Sequence, residues 1–390
     1  MNLPAVGIHD LTFATTHYAL ELATLAQHRG IDPDKYLIGL GQEAMSIPAP
    51  DEDIVTMAAS AAAPILERHG TTHPRTILFA TETGVDQSKA AGLYLHPLLD
   101  LPRNIRVVEL KQACYAGTAA LQLAAALVTR NPTEQVLVIA SDIAKYDLDS
   151  PGEPTQGAAA AAMLITANPA ILRLDPPSGL YSTDIMDFWR PNYRTTALVD
   201  GKLSITAYLN SVTGAWTDYQ RHGGLPLTDF TAFCYHQPFT KMAYKAHRHL
   251  LDHEGAQSNS DAIEADIGAT THYNRMIGNS YTASLYLALA SLLDHTDDLT
   301  DRPVGLLSYG SGNVAEFFAG TVIQGYREHL RTAAHKDSIT RRKPIDYEHY
   351  RAVHETQLGE NNRLTEDTAD PFRLAAVDEH KRIYEHRHSR

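Results

Sequence analysis

The amino-acid sequence predicts an α/β fold, made of two similar halves if its internal likeness is a duplication, and three observations carry that expectation. Short β-rich runs alternate with helix-forming stretches along all 390 residues, the pattern of layered helices and strands. Part of the plan recurs: "QACYAGTAALQLAAALVTRNPTEQVLVIASDIA" can be laid on "IGNSYTASLYLALASLLDHTDDLTDRPVGLLSYGSG" (277–312). Each is a tight turn, a helix opening on small residues, a polar connector and an apolar strand. Any two αβ units share this look, so the likeness is either a duplication or a resemblance of type. As a duplication it divides the chain near residue 168, into 1–168 and 169–390, with no low-complexity linker between them. Third, 44% hydrophobic and 20% charged residues supply a full core for one large domain or two intimate ones.

In chain order, "APDEDIVTMAASAAAPIL" opens a helix over 51–69, with Asp51 at the N-cap and acids in the first turn. "RTILFATE" (75–82) reads as a buried strand, "RVVELKQA" (106–113) as a second, and 114–130 as an Ala/Leu-rich helix. "QVLVIASDIA" (135–144) and "AAAMLITA" (160–167) follow as strands. "TAFCYHQPFTKMAYKAHRHL" (231–250) reads as a strand, then His236, Pro238 and a helix. "SYGSGN" (308–313) follows the strand "VGLL" and is placed to turn backbone N–H groups toward a ligand. From about residue 330 the chain is rich in charge and His, and is expected to be solvated helix and tail.

The formal charge of −13 excludes a general nucleic-acid binder, which needs a basic face. A local Lys/Arg cluster still suits an anionic small molecule. Two cysteines build no disulfide framework, and no CxxC or Cys/His zinc spacing is present, so no metal site is expected. "GLGQEA" (39–44) matches a dinucleotide pattern but sits on no βα turn. The start "MNLPAVGIHDLTF" has no basic region followed by a long apolar one, and no apolar stretch suffices to span a bilayer. A reduced, cytoplasmic setting is expected.

Cys114 stands where a β-branched run gives way to a helix. A helix N-terminus favours the thiolate, the nucleophilic form. Ala116, Gly117 and Ala119 behind it allow close approach. The junction alone also fits a buried small hydrophobe, the commonest fate of a free cysteine. A thiolate nucleophile needs a proton-handling partner and oxyanion donors. His236 ends a strand, where site residues of α/β folds gather, while Cys234 reads as packing. Glu82 also ends a strand beside apolar neighbours, and is either a general base of raised pKa or a helix cap. Lys241 and Lys245 lie four apart on one helix face, with Arg248 a turn further; the stripe is either solvated or an anion site.

Seven ordered blocks carry a resemblance. "ATETGVDQSKAAGLYLH", "ELKQACYAGTAALQLA", "GEPTQGAAAAAMLI", "DFWRPNYRTTALVDGKLS", "YHQPFTKMAYKA", "GNSYTAS" and "SYGSG" together resemble bacterial hydroxymethylglutaryl-CoA synthase of the mevalonate pathway, from about residue 5 to about 330. The resemblance implies a thiolase-like fold, two αβ halves in an αβαβα arrangement, and a homodimer. It implies that acetyl-CoA acetylates Cys114 and that Glu82 removes a methyl proton. The resulting carbanion attacks the ketone of acetoacetyl-CoA, and water frees the product. His236 would orient acetoacetyl-CoA, Tyr146 and Asn279 would line its pocket, and backbone donors near Cys114 and Ser311 would form the oxyanion hole. Lys241 and Lys245 would hold coenzyme A phosphates. Coenzyme A thioesters enter as substrates, with no cofactor. Gly157-Ala158-Ala159-Ala160 departs from the family's more usual Gly-Ala-Gly-Ala, and Ala116-Gly117 from its Gly-Ala; neither removes a chemical group. Rival expectations are a β-branching synthase acting on a carrier-protein-bound polyketide, a ketoacyl synthase III-like enzyme using Cys, His and Asn279, and an inactive thiolase-fold scaffold.

Overall fold

The computed structural model describes residues 4–69 and 74–387. A first set of elements runs β1 (Val6–Thr15), α1 (Ile54–His69), β2 (Thr76–Ala80), β3 (Arg106–Leu110), α2 (Ala116–Arg130), β4 (Val136–Ile143) and β5 (Ala158–Ala167). A second set runs β6 (Leu172–Ser182), α3 (Gly201–Arg221), β7 (Ala232–Tyr235), α4 (Thr240–His253), α5 (Ser284–His295), β8 (Pro303–Gly310) and β9 (Val314–Val322). The nine strands form one continuous sheet in the order β7-β8-β9-β6-β1-β5-β4-β2-β3. From the outer edge inward the first set reads β3-β2-β4-β5-β1 and the second β7-β8-β9-β6, with no counterpart of β3. β2 is parallel to β3 and β4, and β7 is parallel to β8. The β4–β5 and β8–β9 pairs are antiparallel.

The two arms join where β1 meets β6 through Gly7–Arg173 and Ile8–Leu172. A Cβ at Gly7 would lie 2.0 Å from the Leu172 carbonyl oxygen, so this junction requires glycine.

β2 and β4 are buried along their length and correspondingly apolar, as expected of strands covered on both faces. Their inner faces (Leu78, Val138) share one core with Leu306 of β8 and with α2 and α5. Residues Ser284 to Leu293 of α5 are all buried, which explains a helix apolar on every side. α1 covers the outer face of the first arm over Ile77, Phe79 and Ile139. α3 and α4 cover the second arm through Trp216, Met242 and Phe317. The result is the layered α-β-α-β-α stack of a thiolase-like fold.

Two local expectations are corrected. α1 starts at Ile54, and it is Asp53 that accepts from the Val55 and Thr56 amides, at 2.9 and 3.2 Å. Asp51 instead takes the Thr368 amide and Arg373. The C-terminal segment does contain the expected helix, but a sheet stands where a solvated tail was expected. It forms α6 (Thr332–Thr340), α7 (Tyr347–Glu355) and an antiparallel sheet of β10 (Asn362–Arg363), β11 (Phe372–Asp378) and β12 (Lys381–His386). Two of its side chains reach the start of α1: Arg373 meets Asp51 at 3.2 Å, and the Tyr384 hydroxyl donates to Asp53 at 2.6 Å. Residues 388–390 of "EHKRIYEHRHSR" lie outside the described residues. Among the described residues no helix is long and apolar enough to cross a membrane, and no group of three His, Cys, Asp or Glu side chains is arranged to hold a metal.

Candidate active site

Between β3 and α2 the chain turns through Ala113, whose φ of 43° lies in the left-handed region. Cys114 follows at the tip, two residues before α2 begins rather than within its first turn. Its Sγ donates to Glu82 Oε1 at 3.0 Å. Burial and the adjacent Glu82 push the thiol well above its usual range. The expected lowering by the helix end is therefore overturned: desolvation beside a carboxyl outweighs the macrodipole, and the resting group is a neutral thiol.

Glu82 lies two residues past β2, which ends at Ala80 rather than at Glu82. Burial first, and Asp142 second, raise its carboxyl to about 8, while the thiol's hydrogen bond works in the opposite direction. Asp142 sits fully buried in β4. Its Oδ1 accepts from the Thr81 hydroxyl (2.7 Å), the Glu82 amide (2.9 Å) and both the amide and hydroxyl of Thr83 (3.0 and 2.6 Å). Oδ2 takes the amide and hydroxyl of Thr282. One carboxyl thus ties the Glu82 loop to the start of α5. The Arg190 guanidinium closes over this loop, donating to the Glu82 carbonyl at 2.9 Å.

His236 follows β7 directly. Its carbonyl accepts from the Tyr208 hydroxyl at 2.7 Å and its amide donates to Leu307 at 3.0 Å. Burial lowers the imidazole to about 3, so it is neutral at physiological pH. Asn279 Oδ1 accepts the Tyr281 amide at 2.9 Å, and its own amide donates to Thr155 at 3.0 Å. The Tyr146 amide is held by Gln156 Oε1 at 2.7 Å. Cys234 lies in β7, 1% exposed, and is core.

A cavity of about 530 Å³ gathers Cys114, Tyr146, His236, Asn279 and Ser311, and runs out past Val199 to Lys245. Lys241 lies one turn earlier on α4, its amide bonded to the Leu40 carbonyl at 2.9 Å, and does not line the cavity. A second cavity of about 560 Å³ opens beside Glu82, Lys111 and Ser182. Phe188 and Ser311 line both. The strand before Ser311 runs to Gly310, beyond "VGLL". In the following turn the Gly312 amide is engaged by Asp187 at 2.9 Å, so it is not among the donors open to an oxyanion. Gly157 brings the two sets of elements into main-chain contact: a Cβ there would lie 2.4 Å from the Ile277 carbonyl oxygen and 2.8 Å from that of Asn279.

Sequence reasoning missed Asp142 and Asp187, both 0% exposed. Each breaks an apolar context, and a carboxylate in such a place must be bonded on both oxygens. That was the available signal.

A layered α/β stack with a cysteine at a strand-to-helix turn, a carboxyl touching its sulfur and a tunnel to the surface defines a thiolase-fold enzyme. The family model for the N-terminal part of hydroxymethylglutaryl-coenzyme A synthase matches residues 3–170. That for the C-terminal part matches 177–271 and 252–384. The chain belongs to the hydroxymethylglutaryl-CoA (HMG-CoA) synthase family. It is 38% identical to HMG-CoA synthase of Enterococcus faecalis, over 97% of this chain and 99% of that protein. It is 32% identical to a polyketide-biosynthesis 3-hydroxy-3-methylglutaryl-ACP synthase of Bacillus subtilis, over 89% and 87%. A solved HMG-CoA synthase complexed with CoA superposes with a TM-score of 0.93, at 41% identity, over 98% of this chain and 100% of that one.

Proposed function

We propose that the chain condenses acetyl-CoA with acetoacetyl-CoA to 3-hydroxy-3-methylglutaryl-CoA and free CoA in the mevalonate pathway, through an acetyl-Cys114 intermediate. The observation that carries this reading is the 3.0 Å contact between Cys114 Sγ and Glu82 Oε1. Cys114 opens to the cavity that also holds His236 and Asn279. The Cys114 sulfur attacks acetyl-CoA, the C–S bond to CoA breaks, and the thiol's proton leaves with it as free CoA–SH. Acetylation removes the S–H that donates to Glu82, one of the influences holding its pKa down, so the carboxylate becomes a stronger base when the acetyl methyl needs one. Glu82 takes a methyl proton, the carbanion attacks the acetoacetyl ketone, and Glu82 returns the proton to the new alkoxide. Neutral His236 orients the acceptor by hydrogen bonding near its thioester, and Tyr146 and Asn279 wall the acyl site. The product is then joined both to Cys114 and to CoA until water cleaves the cysteine thioester.

On this reading residues 1–168 supply Cys114, Glu82 and Tyr146, while 169–390 supply His236, Asn279, Ser311 and the lysines. Lys245 at the exposed end of the cavity, with Lys241 a turn away, takes the coenzyme A phosphates against the net negative charge. We take the enzyme to be a cytoplasmic homodimer. Two free cysteines suit a reducing compartment, and β3, a part-exposed edge strand, offers a pairing surface.

The test is incubation with labelled acetyl-CoA, followed by acetoacetyl-CoA or an acetoacetyl carrier protein. Label held on Cys114 and released as product only by the CoA ester is the expected result. Release by the carrier protein alone would assign the chain to polyketide β-branching instead.

A further inference from the structure

The proposed reaction sets a requirement that its own binding cavity does not meet. After condensation the product is tethered at both ends, to Cys114 and to coenzyme A, so the pantetheine chain still fills the cavity that runs from Cys114 to Lys245. Hydrolysis must nevertheless bring water to the Cys114 thioester at that moment. The second cavity approaches the same two groups from another side. Glu82 lines it and does not line the first, whereas Cys114 lines the first and not the second. The 3.0 Å Sγ–Oε1 contact is where the two meet. The second cavity's walls carry polar side chains, Gln112, Ser182, Thr183, Asp184 and Asn313 among them, beside Phe188 and Trp189. Its roughly 560 Å³ holds more than ten waters at about 30 Å³ each.

We infer that this second cavity is the water inlet for the hydrolytic step, with Glu82 as the gatepost that activates the incoming water. The inference rests on the function proposed above. In the step, the water oxygen bonds to the thioester carbon while Glu82 takes a water proton. The C–S bond then breaks, the product carboxyl forms, and the Cys114 thiolate recovers the proton from Glu82. Phe188 and Ser311 line both cavities and so lie at their junction.

Ser182 and Thr183 are exposed on the wall of the second cavity, away from the reacting groups, so Ser182→Trp and Thr183→Trp narrow it without touching them. The expected result in both variants is a wild-type burst of CoA from acetyl-CoA. Turnover then slows about tenfold or more, and the doubly tethered product accumulates on the enzyme, read by intact-protein mass. A truncated acceptor, acetoacetyl-N-acetylcysteamine, leaves the outer tunnel open and is expected to restore much of the rate. Adduct hydrolysis at the wild-type rate in both variants would overturn the inference. So would equal slowing with the truncated acceptor, since that points to a disturbed Glu82. A wild-type enzyme that gives no CoA burst and no tethered adduct would instead sink the proposed function.

Discussion

The turns that open α2 and α5 have the same shape and opposite fates. Ala113 and Tyr281 carry left-handed φ values of 43° and 46°. Two residues later, past Cys114–Tyr115 and Thr282–Ala283, each central helix follows within one residue. Cys114 and Thr282 therefore occupy equivalent tips. The thiol faces the cavity and touches Glu82, while the Thr282 hydroxyl turns inward and is locked on Asp142. The arms also differ beyond the strand that follows. β4 and β5 are joined by residues 144–157, which carry Tyr146 and one wall of the cavity. The equivalent β8 and β9 are joined by a turn of three residues around Ser311. One shape repeated thus yields a cavity-facing thiol in one arm, the proposed nucleophile, and a clamp in the other. The chemistry comes from what each tip meets.

Exchanging the tips tests this most severely. Cys114→Ala is expected to abolish acetyl-enzyme and lower turnover by about a thousandfold or more, with the fold intact by circular dichroism. Glu82→Ala is expected to keep the acetylation burst, because it removes a group that holds the thiol pKa up, and to lose condensation. Near wild-type condensation by that variant would show that another group is the base. The pH profile follows in size. With Glu82 at about 8, its carboxylate form grows as pH rises and is lost as pH falls through that value. Condensation by pre-formed acetyl-enzyme, in which the S–H that lowers this pKa is gone, should climb about tenfold per unit from pH 6 through 8 and level only above that. A flat profile there would remove Glu82 from the role.

Thr282→Val probes the clamp. It strips a hydroxyl from a buried carboxyl and is expected to cost about 1–3 kcal/mol in denaturant unfolding, with Thr282→Ser near neutral. Last, Lys245→Ala should raise KM for coenzyme A thioesters a few-fold, about 1 kcal/mol, with kcat kept and the effect shrinking in salt. An unchanged KM would move the phosphate site elsewhere.

The layered fold was legible because burial on both sides leaves β2, β4 and α5 largely apolar, a local signal that Asp142 alone breaks with a charge inside those buried strands. Cys114, Glu82 and His236 could be singled out because each ends or follows a run of clear type. What was not legible depends on partners far along the chain. Asp51, read as the cap of α1, is instead drawn to Arg373, more than 300 positions away, and leaves the cap to Asp53. The same distance hid the C-terminal sheet, whose "KRIYEH" strand looks solvated until Tyr384 is seen against Asp53. The thiol's pKa was misjudged for a related reason. The helix end is read from sequence, but the carboxyl 3.0 Å away comes from another strand.

Gly157 carries a consequence for how such a catalyst can change. Where two peptide planes touch with no side chain between them, no substitution can pare the contact back, and any added carbon pushes the planes apart. Position 157 therefore pins the main chain that carries Asn279 to the end of the loop that carries Tyr146. Variants selected for bulkier acyl donors should accordingly alter Phe188 or residues 147–152, and leave position 157 alone.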